Sequence, residues 1–124
     1  KRINSIQIFL LFLILLKMHK DFISKVLEIV AQIPYGKVTT YGAIAEKCGM
    51  KSSARMVGWV LSSHYYGRDL PFHRVVNRNG ELTGKFHFLT PTLMKELLVS
   101  EGVEFIDEKV NMKSYFWKPE LVNY

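Results

Sequence analysis

The sequence predicts a mainly α-helical domain with one small β hairpin, arranged as a winged helix-turn-helix. Apolar residues recur at helical spacing between Asp21 and Ile33, which predicts an amphipathic core helix. Two short helical segments follow on either side of Gly49, and two short helices joined by a tight glycine turn form a helix-turn-helix. Residues 77–80 (Asn-Arg-Asn-Gly) are a turn signal between extended segments, which predicts the hairpin.

The first two helices have local start and stop signals. Asp21 is placed to cap the first helix, and residues 34–36 (Pro-Tyr-Gly) end it. Thr40 is placed to cap the second helix, residues 41–47. Both helices therefore have boundaries that the sequence itself defines.

The third helix is predicted from Ser53 to about Ser63, with Ser52 as its cap, and it is the recognition helix of the motif. Helical spacing places its residues on two faces. The core face holds Val57, Val60 and Leu61, and the opposite face holds Arg55, Gly58, Trp59 and Ser62.

The second half of the chain is predicted to contain the wing and a last helix. Residues 81–83 are expected to return as the second strand of the hairpin. Thr90 is placed to cap the last helix with Pro91 in its first turn, and Gly102 ends it. Residues 115–119 are expected to pack back as an irregular aromatic tail.

Composition fits one globular domain with a basic centre. The chain has 124 residues and a net charge of +6. Residues 37–87 carry eight basic residues against three acidic ones, a net of +5. A basic band of this kind favours a polyanionic partner such as DNA, because neutralised phosphates release counterions, although it is also compatible with an ordinary basic surface.

Cysteine and histidine usage argue against an intrachain disulfide and a metal site. Cys48 is the only cysteine, so it cannot form an intrachain disulfide, and a reducing compartment is expected: the cytoplasm, or the nucleus in a eukaryote. Flanked by Gly49, it is interpreted as a small buried apolar residue. The four histidines show no metal-ligand spacing.

Residues 1–17 differ from the rest of the chain. An apolar run from Ile6 to Leu16 is interrupted only by Gln7, and it is shorter than the ~20 residues that a membrane span needs. Basic residues precede the run, but no small-residue cleavage site follows it. We interpret residues 1–17 as an extension outside the native domain of residues 18–124, with a membrane anchor or export signal as the alternative.

Four separated segments carry a family resemblance, in order and at approximate spacing. They are Ile33–Gly42, Ala54–Gly58, Pro71–Asn77 and Leu97–Glu104. Together they resemble the O6-alkylguanine-DNA alkyltransferases over roughly residues 21–119. The resemblance implies the winged helix-turn-helix of the C-terminal domain of these proteins.

One position departs from the family motif. The family signature is Pro-Cys-His-Arg-Val, and here Phe72 stands at the cysteine position. Alkyl transfer needs a thiolate nucleophile, and a phenyl ring has none. The chain therefore resembles the alkyltransferase-like proteins, which lack the acceptor cysteine, and it is predicted to bind the lesion without repairing it.

The resemblance implies a set of DNA-binding residues. Arg55 matches the arginine that fills the gap left by the flipped nucleotide, and Tyr41 matches the tyrosine that rotates the neighbouring phosphate. Gly58 costs about 1 kcal/mol relative to alanine in a helix, which is reasonable where backbone lies close to DNA. Trp59 is expected either to wedge against DNA or to cover an edge of the core.

The resemblance also implies a lesion pocket and its support. The predicted pocket residues are Pro71, Phe72, His73, Val75 and Lys85. Arg74 and Glu101 are predicted to support the motif, Glu101 together with His73. His64 stands where the family has its hinge asparagine.

The resulting hypothesis is a non-enzymatic sensor of O6-alkylguanine in double-stranded DNA. By resemblance, it flips the damaged base from the minor groove and marks it for nucleotide excision repair proteins. We expect a monomer without cofactors. A sequence-specific winged-helix regulator is the alternative hypothesis. An active transferase that uses Cys48 is the third.

Overall fold

The computed structural model describes residues 2–50, 53–64 and 69–120. These residues form five helices and four short strands. They are α1 (Ser5–Gln32), β1 (Thr39–Thr40), α2 (Tyr41–Lys47), α3 (Ala54–His64), β2 (Val75–Val76), α4 (Leu93–Ser100), β3 (Phe105–Ile106), β4 (Lys109–Val110) and α5 (Met112–Tyr115). Single 3-10 turns occur at Phe72–Arg74 and Lys85–His87.

Helix α1 is much longer than the sequence predicted. It begins at Ser5, so the prediction that Asp21 caps it is wrong. The cap is Asn4, whose side chain accepts from the Gln7 backbone N–H while the Gln7 side chain accepts from the Asn4 N–H. The residues before Asp21 contain no glycine or proline, so nothing interrupts the helix between the apolar run and the domain.

The predicted helix-turn-helix is present. Thr40 caps α2 by accepting a 3.0 Å hydrogen bond from the Ala43 N–H. Gly49 adopts a φ of +78° after α2, which turns the chain toward α3. The predicted core face of α3 is confirmed, because Val57, Val60 and Leu61 are buried. The predicted cap Ser52 lies outside the described residues.

The strands are arranged differently from the predicted wing. Residues 77–80 do form a turn, but residues 81–83 form no strand, so that part of the prediction is wrong. The Asn77 side chain accepts from the Glu81 N–H at 2.8 Å and closes a local loop instead. The antiparallel hairpin of the described residues pairs β3 with β4.

A parallel pair of strands brings two distant segments together. Thr39 pairs with Val75 and Thr40 with Val76. Because the strands run parallel, residues 36–38 before β1 lie beside the 3-10 turn at Phe72–Arg74, while α2 follows β1 at the other end of the pair. This pairing positions the functional site.

Helix α4 begins later than predicted. Its cap position is Thr92, so the prediction that Thr90 caps it is wrong. The Leu93 N–H instead donates to the Thr90 carbonyl at 3.3 Å, which places Thr90 and Pro91 in a turn before the helix. The predicted end is confirmed, because Gly102 follows with a φ of +88°.

The C-terminal segment packs back onto the domain as predicted, although it includes the short helix α5. The Val38 N–H donates to Tyr115 O at 2.9 Å, and the Trp117 N–H donates to Val38 O at 2.7 Å.

The core consists of two clusters of buried side chains. One joins the C-terminal half of α1 to α2, α3, Phe72 and Val75. The other joins Val38 and Val76 to α4 and the β3–β4 hairpin. Residues 2–20 of the α1 region are exposed throughout. Within the described ranges, no helix has both the length and the apolar character needed to cross a membrane.

Candidate nucleic-acid interface

The 3-10 turn at Phe72–Arg74 separates two groups of predicted functional residues. Phe72 is buried and lies toward α2 and α3, where it joins the first core cluster. His73 and Arg74 contact Glu101 at the end of α4 instead. The turn therefore directs an apolar ring to one side and a charged network to the other.

A small cavity lies on the Phe72 side of this turn. Its volume is about 40 Å³, enough for a few water molecules at roughly 10–15 Å³ each. It is lined by Tyr41, Gly58, Leu61, Ser62, Phe72, Gly84, His87 and Phe88. The cavity thus brings together Tyr41, Gly58 and Phe72, which lie far apart in the sequence.

The loop that closes this cavity passes very close to Tyr41. A Cβ atom at Gly84 would lie 3.2 Å from Tyr41 Oη, which is a tight contact. Glycine at this position allows the loop to approach the start of α2. Phe88 and His87 follow on the same loop and complete the cavity wall.

The outer face of α3 carries the other predicted DNA-binding residues. Arg55 is exposed. A Cβ atom at Gly58 would meet nothing within 4 Å, so the helix surface is open there. Trp59 is 63% exposed and lines a groove that His19 and Ile23 of α1 also line. The indole is therefore on the α1 side of α3, and it is not part of the cavity wall.

A fully hydrogen-bonded carboxylate lies on the other side of the turn. Glu101 accepts from Arg74 Nε at 2.9 Å, from His73 Nε2 at 2.6 Å and from the Gly36 N–H at 2.9 Å. Arg74 Nη1 also donates to the Ile33 carbonyl at 2.8 Å, and the guanidinium lies 5.7 Å from the Tyr35 ring centroid. This network ties α4 to the segment that follows α1.

The electrostatics of Glu101 favour the charged form. Its side chain is only 6% exposed, and burial alone raises the pKa of a carboxyl. The hydrogen bonds from Arg74, Gly36 and His73 outweigh burial and lower the pKa of Glu101 to about 2. The carboxylate is therefore ionised at neutral pH, and it acts as the acceptor at the centre of the network.

Three predicted pocket residues lie elsewhere in this structure. Val75 is buried in the first core cluster, and Pro71 precedes the 3-10 turn. Lys85 is exposed and faces a groove that Lys95 and Glu108 also line, with its Nζ 5.2 Å from the Phe86 ring centroid. With His73 bound to Glu101, Phe72 is the predicted pocket residue that lines the cavity.

Sequence reasoning missed several residues of the cavity wall. Ser62 lies one helical turn after Gly58 and donates from Oγ to the Gly58 carbonyl at 2.6 Å. Helical spacing already placed Ser62 on the same face as Gly58, so its position beside Gly58 could have been predicted from the sequence. The path of the loop brings His87 and Phe88 to the cavity, and the sequence of this loop has no periodic pattern. Tyr35 beside Arg74 was also missed.

The single thiol does not line this cavity. Cys48 follows α2 and packs, half-buried, against the first core cluster. Burial raises the pKa of the Cys48 thiol, and Lys25 only partly opposes this effect. His64 Nδ1 donates to the Val60 carbonyl at 2.8 Å within α3. In the part of the chain that the structure describes, no three His, Cys, Asp or Glu side chains are grouped to hold a metal ion.

Sequence comparison identifies relatives along most of the chain. Residues 21–103 match the family described as the DNA binding domain of 6-O-methylguanine DNA methyltransferase. Alkyltransferase-like protein 1 of Schizosaccharomyces pombe is 38% identical over 104 residues, which cover 80% of this chain and 96% of that protein. The DNA base-flipping protein of Escherichia coli is 42% identical over 108 residues, which cover 82% of this chain and 79% of that protein.

Structure comparison agrees with these relatives. The fold matches Schizosaccharomyces pombe Atl1 in complex with damaged DNA containing O6-carboxymethylguanine, with a TM-score of 0.71 and 38% identity over 81% of this chain and 97% of that chain. It also matches the O6-methylguanine methyltransferase of Mycobacterium tuberculosis, with a TM-score of 0.56 and 33% identity over 65% of this chain and 48% of that chain. The chain therefore belongs to the alkyltransferase-like and DNA base-flipping proteins, homologues of the DNA-binding domain of O6-alkylguanine-DNA alkyltransferases.

Proposed function

We propose that this protein is a non-enzymatic sensor of O6-alkylguanine in double-stranded DNA. It binds the minor groove, flips the damaged base toward the cavity beside Phe72, and leaves the alkyl group in place. The observation that carries the proposal is Phe72 itself, which lines the cavity where the family motif has its cysteine. Without a thiol at that position, the cavity lacks the thiolate that alkyl transfer in this family requires.

The position of Cys48 supports a binding function over alkyl transfer. The thiol packs against the core cluster, and burial disfavours its thiolate form. The Glu101 carboxylate and the His73 imidazole are hydrogen-bonded to each other and have no thiol to activate, so in this proposal they serve a structural role. Relatives support the lesion class, because Schizosaccharomyces pombe Atl1 is seen in complex with DNA containing O6-carboxymethylguanine.

The exposed face of α3 supplies the proposed DNA contacts. Arg55 enters the duplex and replaces the flipped base in the stack, which a flat guanidinium can do. Gly58 allows close approach of the DNA backbone because no side chain occupies the space above it. Tyr41 contacts the phosphate beside the flipped nucleotide, and Trp59 borders the contact area from the α1 side.

The cavity needs to open before it receives a base. Its volume of about 40 Å³ is a fraction of what a guanine ring needs. The loop that carries Lys85 is the element that moves in this proposal, and its movement brings Lys85 toward the lesion. Pro71, His73 and Val75 hold the turn that presents Phe72. The bound complex is then recognised by nucleotide excision repair proteins, and the protein acts as a monomer without a cofactor.

The decisive experiment compares two duplexes that are identical except for one O6-methylguanine. Binding is measured at several salt concentrations, and the recovered protein is weighed by mass spectrometry. We expect tighter binding to the lesion, a steep loss of affinity with salt, and no added mass. An added methyl group would show alkyl transfer. Equal affinity for both duplexes, combined with preference for one base sequence, would identify a winged-helix regulator instead.

A further inference from the structure

The first half of α1 carries a long apolar surface that no part of the domain covers. From Ile3 to Met18, the large apolar side chains are 41–70% exposed. Residues 3–18 are named the apolar arm here. The arm lies before residues 21–103, where the family match is found. A contiguous apolar surface of this extent marks a binding site for another molecule.

The arm is apolar on every side of the helix. Residues 8–16 are nine consecutive apolar side chains, and successive residues of an α-helix are about 100° apart around its axis. One partner helix packed against the arm would cover one face and leave the opposite face in water. Hydrocarbon surrounds the whole helix, so this pattern is typical of a helix in lipid.

The charges beside the arm favour an anionic lipid surface over a second copy of the chain. Residues 2–20 carry Arg2, Lys17 and Lys20 and no acidic residue. Two arms packed together would therefore bring only positive charges near each other. Anionic headgroups attract each such charge.

The length of the arm places it within one leaflet. The helical part of the arm, residues 5–18, rises about 21 Å at 1.5 Å per residue, well short of the ~30 Å hydrocarbon core. Arg2 at one end and Lys17 and Lys20 at the other can both reach the headgroups of one leaflet with their long side chains if the helix lies immersed in the hydrocarbon, parallel to the membrane plane. The capping box of Asn4 and Gln7 satisfies backbone N–H groups at the helix start, which lowers the cost of leaving water.

We propose that the apolar arm binds anionic lipid bilayers and holds the DNA-binding domain at a membrane surface. The arm shares one continuous helix with the core residues Phe22 and Val26, so lipid binding fixes the domain rigidly to the arm. This inference does not depend on lesion recognition.

The test uses the full chain in flotation with vesicles of phosphatidylcholine, with and without phosphatidylserine. A Phe12→Glu/Leu15→Glu variant places two charges in the arm at side chains that are 56% and 63% exposed, so the fold is unaffected. A Leu89→Glu/Val99→Glu variant makes the same change at exposed sites outside the arm. We expect binding to the mixed vesicles to fall about tenfold or more in the arm variant and to stay unchanged in the control.

Both variants keep the basic face of the domain, so a difference between them isolates the arm from any attraction of that face to lipid. Three results would overturn the proposal: no binding of the wild-type chain to mixed vesicles, equal binding by the arm variant, or equal binding to vesicles without phosphatidylserine. Sedimentation velocity of the wild-type chain without lipid tests whether the arm binds a second copy of the chain instead. An oligomer that the arm substitutions convert to monomers would support that alternative over lipid binding.

Discussion

The two sides of the 3-10 turn at Phe72–Arg74 differ in how completely their groups are satisfied. On one side, Glu101 accepts hydrogen bonds from Arg74, His73 and the Gly36 backbone, and almost none of its side chain is exposed. On the other side, Phe72 borders a small open cavity, and Gly58 leaves empty space on the helix surface above it.

This difference separates stability from function within three consecutive residues. The polar groups of the Glu101 network already make their hydrogen bonds within the protein and are not available to a ligand. The Glu101 side is therefore expected to stabilise the fold. An unfilled cavity beside an exposed helix contributes little to stability and is available for binding. Substitutions on the cavity side should therefore change DNA binding, whereas substitutions on the Glu101 side should leave it unchanged.

The largest expected effect is on the stability side. Glu101→Gln removes the charge that Arg74 and His73 contact, so we expect the free energy of unfolding to fall by roughly 3 kcal/mol. Urea denaturation measures this loss. Glu104→Gln is the matched control because Glu104 is an exposed glutamate nearby, and it should change stability little. Lesion affinity of the folded Glu101→Gln protein should remain close to that of the wild type.

The same network has a defined pH signature. Because the pKa of Glu101 is lowered to about 2 in the folded protein, its contribution is complete above the ordinary carboxyl pKa near 4.5. That contribution is lost as the pH falls from about 4.5 toward 2, where the carboxylate becomes protonated. Wild-type stability should drop across this window, and the Glu101→Gln variant should drop less. Parallel curves for the two proteins would show that Glu101 is not the titrating group.

The second largest effect is expected on the binding side, at Arg55. Replacing it with alanine should weaken binding to lesion-containing duplexes by about 2 kcal/mol, or roughly thirtyfold, because the guanidinium that is proposed to fill the stack is removed. Stability should not change, since the side chain is exposed. Arg78→Ala, in the exposed turn after β2, is the control. It should remove at most one contact to a DNA phosphate and should therefore weaken binding less than Arg55→Ala does. Equal losses in both variants would argue against a special role for Arg55.

A smaller effect is expected for the ring of Phe72. Phe72→Leu keeps an apolar side chain in the core and removes the aromatic face, so the preference for O6-methylguanine over guanine should fall by about 1 kcal/mol. Phe22→Leu is matched, because Phe22 is 6% exposed in the same core cluster and Phe72 is 7% exposed. The two variants should lose similar stability, and only Phe72→Leu should lose discrimination. Competition binding with both duplexes measures the ratio directly.

The sequence predicted the parts of this structure that depend on local signals. Thr40 before a helical segment and Gly102 after one have a direct physical meaning, and both predictions are confirmed. Asp21 failed as a cap because helix propensity in the preceding apolar run continues through it. The strand predicted at residues 81–83 is absent because the Asn77 side chain closes a loop onto Glu81, a local competition that strand patterns do not reveal.

The candidate site was predictable only where a motif or a helix face defined it. Phe72 and Gly58 were found in this way, and both line the cavity. The loop residues His87 and Phe88 reach the same cavity through the path of the chain between β2 and α4, which has no periodicity to read. Lys85 was assigned by resemblance and faces a different groove in this structure.

The smallest effect is expected at Gly58, and it is the most specific test of the comparison. Gly58→Ala adds a methyl group into open space within α3, so helix propensity should raise stability by up to about 1 kcal/mol. The same methyl group occupies the surface where DNA is proposed to approach, so affinity for DNA should fall severalfold. Gly42→Ala, in α2, also meets nothing within 4 Å and does not line the cavity, so it should add stability without this loss. A Gly58→Ala protein that gains stability and binds DNA as tightly as the wild type would place the contact surface elsewhere on the domain.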